Sequence, residues 1–113
     1  MIRRAFTMRL KPGALAQYKD HHDTIGSKWP DLVAEIEQSG IATISTFQNG
    51  LDLFLYSEIQ DADAWTRLWN SPVHRRWAEL MRPLMHLLPD GTVDAGELTE
   101  IFHLDTPLGD KGQ

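Results

Sequence analysis

The chain has 113 residues, of which 42% are hydrophobic and 24% are charged, so it is long enough for one hydrophobic core and too short for two. The formal net charge is −5, and no cluster of Lys and Arg exceeds the pairs Arg3-Arg4 and Arg75-Arg76, which argues against a nucleic-acid-binding surface. The absence of cysteine excludes disulfides, thiolate nucleophiles and cysteine-bound metal centres. No run of residues resembles a signal peptide or a membrane span, so we expect a soluble, cytoplasmic protein with no membrane partner.

The first third of the chain is predicted to form a strand and an interrupted helix. Residues 2–10 alternate between apolar and polar side chains, which is the pattern of a half-buried strand. Tyr18 and His22 then recur at helical spacing, and residues 25–27 are expected to be irregular. A helix resumes near Pro30, because proline suits the first turn of a helix.

A hairpin is predicted next. Gly40 stands where a left-handed C-terminal cap is expected, and strands over residues 41–48 and 51–59 flank Asn49-Gly50. That dipeptide between two alternating runs is a strong hairpin signal. We therefore expect the two strands to pair antiparallel.

The second half begins with two helical segments. Asp61 is the expected N-cap of the first, Ser71-Pro72 opens the second, and Pro83 should end or kink it. Residues 98–104 are predicted as the last strand, and residues 105–113 as a frayed tail.

In order, these elements are strand, helix, strand, strand, helix and strand, which is the ferredoxin-like βαββαβ arrangement of an α+β fold with an antiparallel sheet. We assign residues 1–104 to this single domain. The helices cover one face of such a sheet, and the apolar residues on the other face need a second copy as cover. The sequence therefore predicts a homodimer with its sheets face to face.

Tyr18 and His22 are the candidate chemical groups. Residues four apart share a helix face, so a phenol and an imidazole would point to one small pocket. A neutral histidine exchanges protons near neutral pH, which suits acid–base chemistry without a cofactor. From spacing alone, the simpler interpretation is that the pair belongs to the buried inner stripe of a helix.

Four motifs together resemble the L-rhamnose mutarotase family from Met1 to about Leu104. They are Tyr18-Lys19-Asp20-His21-His22, Trp29-Pro30-Asp31-Leu32, Arg75-Arg76-Trp77 and Glu97 to Leu104. The resemblance implies a dimeric α/β-barrel assembly of two α+β chains. It also implies an aldose 1-epimerase that interconverts α and β pyranose anomers by acid–base ring opening and closure, without cofactor or metal.

The resemblance also implies the roles of individual residues. His22 matches the family's proton donor, Tyr18 a sugar-binding tyrosine, and Trp77 the first of two consecutive tryptophans that form a wall against the sugar. Trp77 could alternatively be an ordinary core residue, and Trp29, Trp65 and Trp69 are expected in the core or at the dimer interface. Ala78 replaces the second tryptophan of the pair, and Ile44 stands at or near a sugar-binding tyrosine.

These replacements change the pocket and leave the sugar open. About three additional residues, most of them within residues 25–28, also separate His22 from Trp29-Pro30. A site that hydrogen-bonds a sugar hydroxyl discriminates strongly between sugars, and an apolar site does so less. L-fucose, another deoxyhexose or another aldose is therefore an alternative substrate to L-rhamnose.

Other readings of the same residues remain open at this point. A ferredoxin-like dimer can also be a cofactor-free monooxygenase, a haem-handling protein or a sugar-binding module. His21 lies roughly 100° around the helix from His22 and is expected nearer the surface. Consecutive histidines splay apart, so the pair is a poor metal site.

Overall fold

The computed structural model describes residues 1–110 and contains one antiparallel sheet of four strands in the order β2-β3-β1-β4. The strands are β1 (Ile2–Arg9), β2 (Ile41–Asn49), β3 (Asp52–Ile59) and β4 (Gly96–Leu98). The first crossover contains α1 (Leu15–Asp23), α2 (Ile25–Lys28) and α3 (Pro30–Gln38). The second contains α4 (Ala64–Trp69), α5 (Pro72–Met81) and a 3₁₀ turn, Arg82–Leu84. The predicted ferredoxin-like order is therefore confirmed.

The predicted hairpin is also confirmed. β2 and β3 pair antiparallel from Ile41 with Ile59 to Asn49 with Asp52, and Gly50 adopts a φ of 61° in the connection. Gly40, between α3 and β2, has a φ of 99°, and a Cβ there would lie 3.2 Å from Arg67 Nη2. Glycine at both positions lets the chain reverse without steric strain.

The hydrophobic core lies between the sheet and the helices. Leu53 and Ile59 of β3 are buried against Leu32 of α3 and Leu68 of α4. The buried Ser57 hydroxyl donates to the Arg4 carbonyl at 2.8 Å and accepts the indole N–H of Trp65 at 2.9 Å. This pair of hydrogen bonds ties α4 to the two central strands.

The last strand is shorter than predicted. The sequence predicts a strand over residues 98–104, whereas β4 spans Gly96–Leu98 and pairs with β1 from Thr7 to Ala5. In this register Ile101 would pair with Ile2, the first residue of β1, so residues beyond it have no partner strand in their own sheet. Residues 99–104, the C-terminal segment, carry the sequence pattern of a strand without a complete ladder.

Two local predictions also need correction. Residues 25–27 were expected to be irregular but belong to α2, where the Trp29 N–H bonds to the Ile25 carbonyl at 2.8 Å. The N-cap of α4 is Asp63, not Asp61. The Asp61 carboxylate instead accepts the Asp63 N–H and pairs with Arg67 at 2.6 Å, so it fixes the loop before the helix.

The sheet face opposite the helices, here called the open face, contains three rows of neighbouring side chains. One row is Phe47, Phe54, Thr7 and Gly96, and the next is Ser45, Tyr56, Ala5 and Leu98. The third row is Thr43, Glu58 and Arg3, and it ends at Glu100. The Arg3 Nε–H is shared between the two carboxylate oxygens of Glu100, and Nη2 donates to Oε1 at 2.8 Å. Phe47 is 62% exposed on this face.

A short 3₁₀ turn, Pro107–Asp110, is the last element of the described residues. Residues 111–113 of the predicted tail lie outside the described residues. None of the helices within residues 1–110 is long and apolar enough to cross a membrane.

Candidate active site

Tyr18 and His22 lie one turn apart on α1 and face the same way, as their spacing predicts. Their rings stack with centroids 4.1 Å apart and planes inclined by 30°. Tyr18 is 7% exposed, whereas His22 is half-buried. The imidazole of His22 is therefore packed against Tyr18 and is still partly accessible to solvent.

A hydrogen bond to the backbone fixes the tautomer of His22. Its Nδ1 lies 2.7 Å from the Tyr18 carbonyl oxygen, which can only accept. Nδ1 must therefore carry the hydrogen, and in the neutral ring Nε2 is the free acceptor. A ring held in this way presents a basic nitrogen in one defined direction.

Burial perturbs the protonation of both groups. It lowers the pKa of His22 below its ordinary value, an effect that the bond to the Tyr18 carbonyl partly opposes. It raises the pKa of Tyr18 to about 12. At neutral pH the site therefore holds a neutral imidazole that can accept a proton and a neutral phenol that can donate a hydrogen bond.

Two tryptophans continue the cluster from His22. Trp77 on α5 meets the imidazole edge-to-face at a centroid distance of 5.1 Å, and Trp29 meets Trp77 in the same manner at 5.4 Å. Trp77 is buried and Trp29 is half-buried. We call Tyr18, His22, Trp29 and Trp77 the aromatic cluster. Edge-to-face contacts of this kind hold the rings in fixed orientations.

The other two predicted sugar-binding positions lie outside these ring contacts. Ile44 is half-buried opposite Ser57, on the helix-facing side of the sheet, and packs against the core. Ala78 is exposed and follows Trp77 on α5, roughly 100° around the helix. Neither side chain has a polar atom, so both positions offer only apolar surface.

Trp29 belongs to the aromatic cluster, although the sequence predicted it in the core or at the dimer interface. The available signal was its place directly before Pro30, at the start of α3. α3 packs against α5, and this packing brings Trp29 to Trp77.

The described residues offer no obvious metal centre. Within residues 1–110 there is no group of three or more His, Asp or Glu side chains placed to hold a metal ion. His21 and His22 do not converge on a common point with a third ligand in this part of the chain.

A family model, related sequences and a crystal structure that are similar to this chain all carry the same description. A family model described as L-rhamnose mutarotase matches residues 3–104. An L-rhamnose mutarotase from Oceanobacillus iheyensis is 32% identical over 107 residues, covering 93% of this chain and 100% of the relative. The crystal structure of an L-rhamnose mutarotase from Formosa agariphila has a TM-score of 0.76 at 26% identity, covering 93% of this chain and 100% of that chain.

A second kind of structural neighbour shares the fold alone. The cofactor-independent oxygenase SnoaB from Streptomyces nogalater superimposes with a TM-score of 0.61 at 14% identity, covering 92% of this chain and 96% of that one. At this identity the likeness carries no information about the reaction.

Proposed function

The chain belongs to the L-rhamnose mutarotase family, and from that membership we propose that it interconverts the α and β anomers of L-rhamnose by opening and closing the pyranose ring. The observation that carries the proposal is His22, whose Nδ1–H is held by the Tyr18 carbonyl and whose Nε2 is left as the accepting nitrogen. The reaction needs one group that can both take and return a proton, and this imidazole is such a group.

In the proposed reaction, Nε2 of His22 takes the proton of the anomeric hydroxyl as the bond between C1 and the ring oxygen breaks. The ring oxygen receives that proton, and the product is the open-chain aldehyde. Rotation about C1–C2 presents the other face of the carbonyl, and the same transfers in reverse close the ring. The bond from Nδ1–H to the Tyr18 carbonyl supports the positive charge on the imidazolium between the two transfers.

The remaining site residues are proposed to hold the sugar. The Tyr18 hydroxyl, neutral at physiological pH, is suited to hydrogen-bond a sugar hydroxyl. Trp77 offers a ring for the C–H face of the pyranose, whereas Ile44 and Ala78, at the other two family positions, offer no group that could hydrogen-bond the sugar. L-fucose and other deoxyhexoses are alternatives because two polar or aromatic contacts of the family pattern are missing.

We further propose that the working form is a homodimer whose open faces pack together. The open face carries Phe47 and Phe54 in adjacent positions of one row. In the C-terminal segment, Ile101 is 93% exposed and Phe102 is 79% exposed. Apolar side chains are thus exposed on the open face near β2 and again beyond β4 at the opposite edge of the sheet. Exposed apolar surface of this kind is typical of an interface, and a second copy would supply the same side chains in return.

Anomer exchange measured by saturation-transfer NMR tests the proposed activity. Magnetisation saturated at one anomeric proton of L-rhamnose should reach the other faster with the protein than in buffer. A panel with L-fucose and D-galactose identifies the preferred sugar. Binding without faster exchange would favour a sugar-binding module, and oxygen consumption with phenolic substrates would favour a monooxygenase.

A further inference from the structure

A charged cleft lies at the start of α3, beside the aromatic cluster. Its volume is about 230 Å³, which is large enough for one monosaccharide. It is lined by Lys28, Trp29, Pro30, Asp31, Val73 and Arg76. The cleft therefore has an aromatic wall and carries charged groups of both signs.

Two lining residues of the charged cleft, Trp29 and Val73, connect it to the aromatic cluster. Trp29 lines the cleft and contacts Trp77 edge-to-face at 5.4 Å. Val73 lines it too and precedes Trp77 by one helical turn on the same buried stripe of α5. A pyranose near His22 could therefore extend one substituent toward the cleft.

The two cations of the cleft are available for an anionic ligand. Neither Lys28 nor Arg76 forms a salt bridge with another residue of the described part of the chain. Asp31 lies in the first turn of α3, where the helix dipole already stabilises a carboxylate. The lining residues thus carry a net charge of +1 in a chain whose net charge is −5.

The two cations of the cleft come from positions next to the tryptophans in the sequence. Lys28 ends α2, the turn that supplies most of the additional residues between His22 and Trp29. Arg76 directly precedes Trp77 on α5. Lys28 and Arg76 are therefore the sequence neighbours of Trp29 and Trp77, so the two cations flank the two tryptophans.

We propose that the same site also accepts hexuronic acids, aldoses in which a carboxylate replaces the exocyclic methyl or hydroxymethyl group at C5. The carboxylate is ionised at neutral pH and would lie between Lys28 and Arg76, with the ring against Trp29 and Trp77. Charge-assisted hydrogen bonds from a guanidinium and an ammonium favour this group over its neutral counterpart. The inference rests on the proposed ring-opening activity.

The test compares matched sugars in the anomer-exchange assay. D-galacturonate is paired with D-galactose, D-glucuronate with D-glucose, and L-rhamnose serves as the reference. Exchange of at least one uronate should be accelerated more than that of its neutral partner. In Arg76→Gln or Lys28→Gln, the ratio of uronate to neutral acceleration should fall about tenfold. Arg75→Gln is the control, because Arg75 is exposed on the same helix and does not line the cleft.

Each outcome separates the two proposals. Accelerated L-rhamnose exchange with no acceleration of either uronate would overturn the uronate proposal and leave the proposed function intact. No acceleration for any sugar would overturn both. An equal fall of the ratio in Arg75→Gln would also contradict the assigned cleft, because it would reflect net charge alone.

Discussion

Replacing His22 with alanine should remove most of the catalytic acceleration. The substitution deletes Nε2, the nitrogen that takes and returns the proton, together with the ring contacts of the imidazole to Tyr18 and Trp77, and it leaves the sheet unchanged. A positioned acid or base contributes a factor of about 10²–10⁴ in rate. At about 1.36 kcal/mol for each factor of ten, this corresponds to about 2.7–5.4 kcal/mol of transition-state stabilisation. The assay is saturation-transfer NMR on L-rhamnose at saturating sugar.

The same substitution should leave the protein folded. His22→Ala removes the bond to the Tyr18 carbonyl, worth about 0.5–1.5 kcal/mol net, and ring contacts with Tyr18 and Trp77 worth about 0.5–1.5 kcal/mol each. A loss of about 1.5–4.5 kcal/mol lowers the melting temperature, and it stays below the stability of a folded domain at 25 °C, which is about 5–15 kcal/mol. Sugar affinity should change little, because the imidazole acts mainly on the transition state.

His21→Ala provides the matched control. His21 is the adjacent residue of the same helix, and its ring points roughly 100° away from His22. It should keep nearly full activity. Full activity in folded His22→Ala, or equal losses in the two variants, would refute the assignment of His22 as the proton-transferring group.

Two further predictions concern stability and assembly. Ser57→Ala should destabilise the fold by about 2–4 kcal/mol in urea unfolding, because it leaves the buried Trp65 indole N–H without a partner. In a Trp65→Phe background the same change should cost about 1 kcal/mol less, and strict additivity would contradict the hydrogen-bonded pair. Ile101→Ser should shift the sedimentation mass from dimer toward monomer, whereas Leu108→Ser, also exposed but beyond the C-terminal segment, should not. A monomeric wild type, or equal effects of both, would contradict the proposed interface.

The sequence predicted most of the fold because its local signals agree with one another. Pro30 begins α3, Ser71 accepts the His74 N–H at the start of α5, and Gly50 turns the hairpin. Each of these residues acts on its own neighbours, so its effect can be read without knowing the tertiary structure. Alternating apolar residues then decide which face of each strand meets the helices.

Features that depend on distant partners were harder to predict. The strand pattern of residues 98–104 extends beyond Ile101, the last residue that β1 could pair, and the pairing itself ends earlier, at Leu98 with Ala5. The sequence predicted Asp61 as the N-cap of α4, but the Asp61 carboxylate pairs with Arg67, six residues later, and the helix begins after Asp63. Both cases are competitions between a local preference and a tertiary partner.

The candidate site likewise has features that the sequence predicted and features that depend on tertiary packing. The helical spacing of Tyr18 and His22 predicted their shared face, and the family resemblance added Trp77. Neither indicated that Trp29 would join them, since that contact depends on how α3 packs against α5. The tautomer of His22 also required the structure, because it is fixed by one distance to the Tyr18 carbonyl.

The pH dependence of anomer exchange, measured beside the NMR titration of the His22 ring, tests the central claim most directly. Burial should lower the pKa of His22 below its ordinary value of 6.5, with the hydrogen of the neutral ring on Nδ1. Protonated Nε2 cannot accept the anomeric proton, so the rate should be constant above this pKa and fall as the pH drops through it. Agreement of the kinetic and NMR pKa values is the predicted result. A rate that stays constant while the His22 ring becomes protonated would contradict the assignment of His22 as the group that opens the sugar ring.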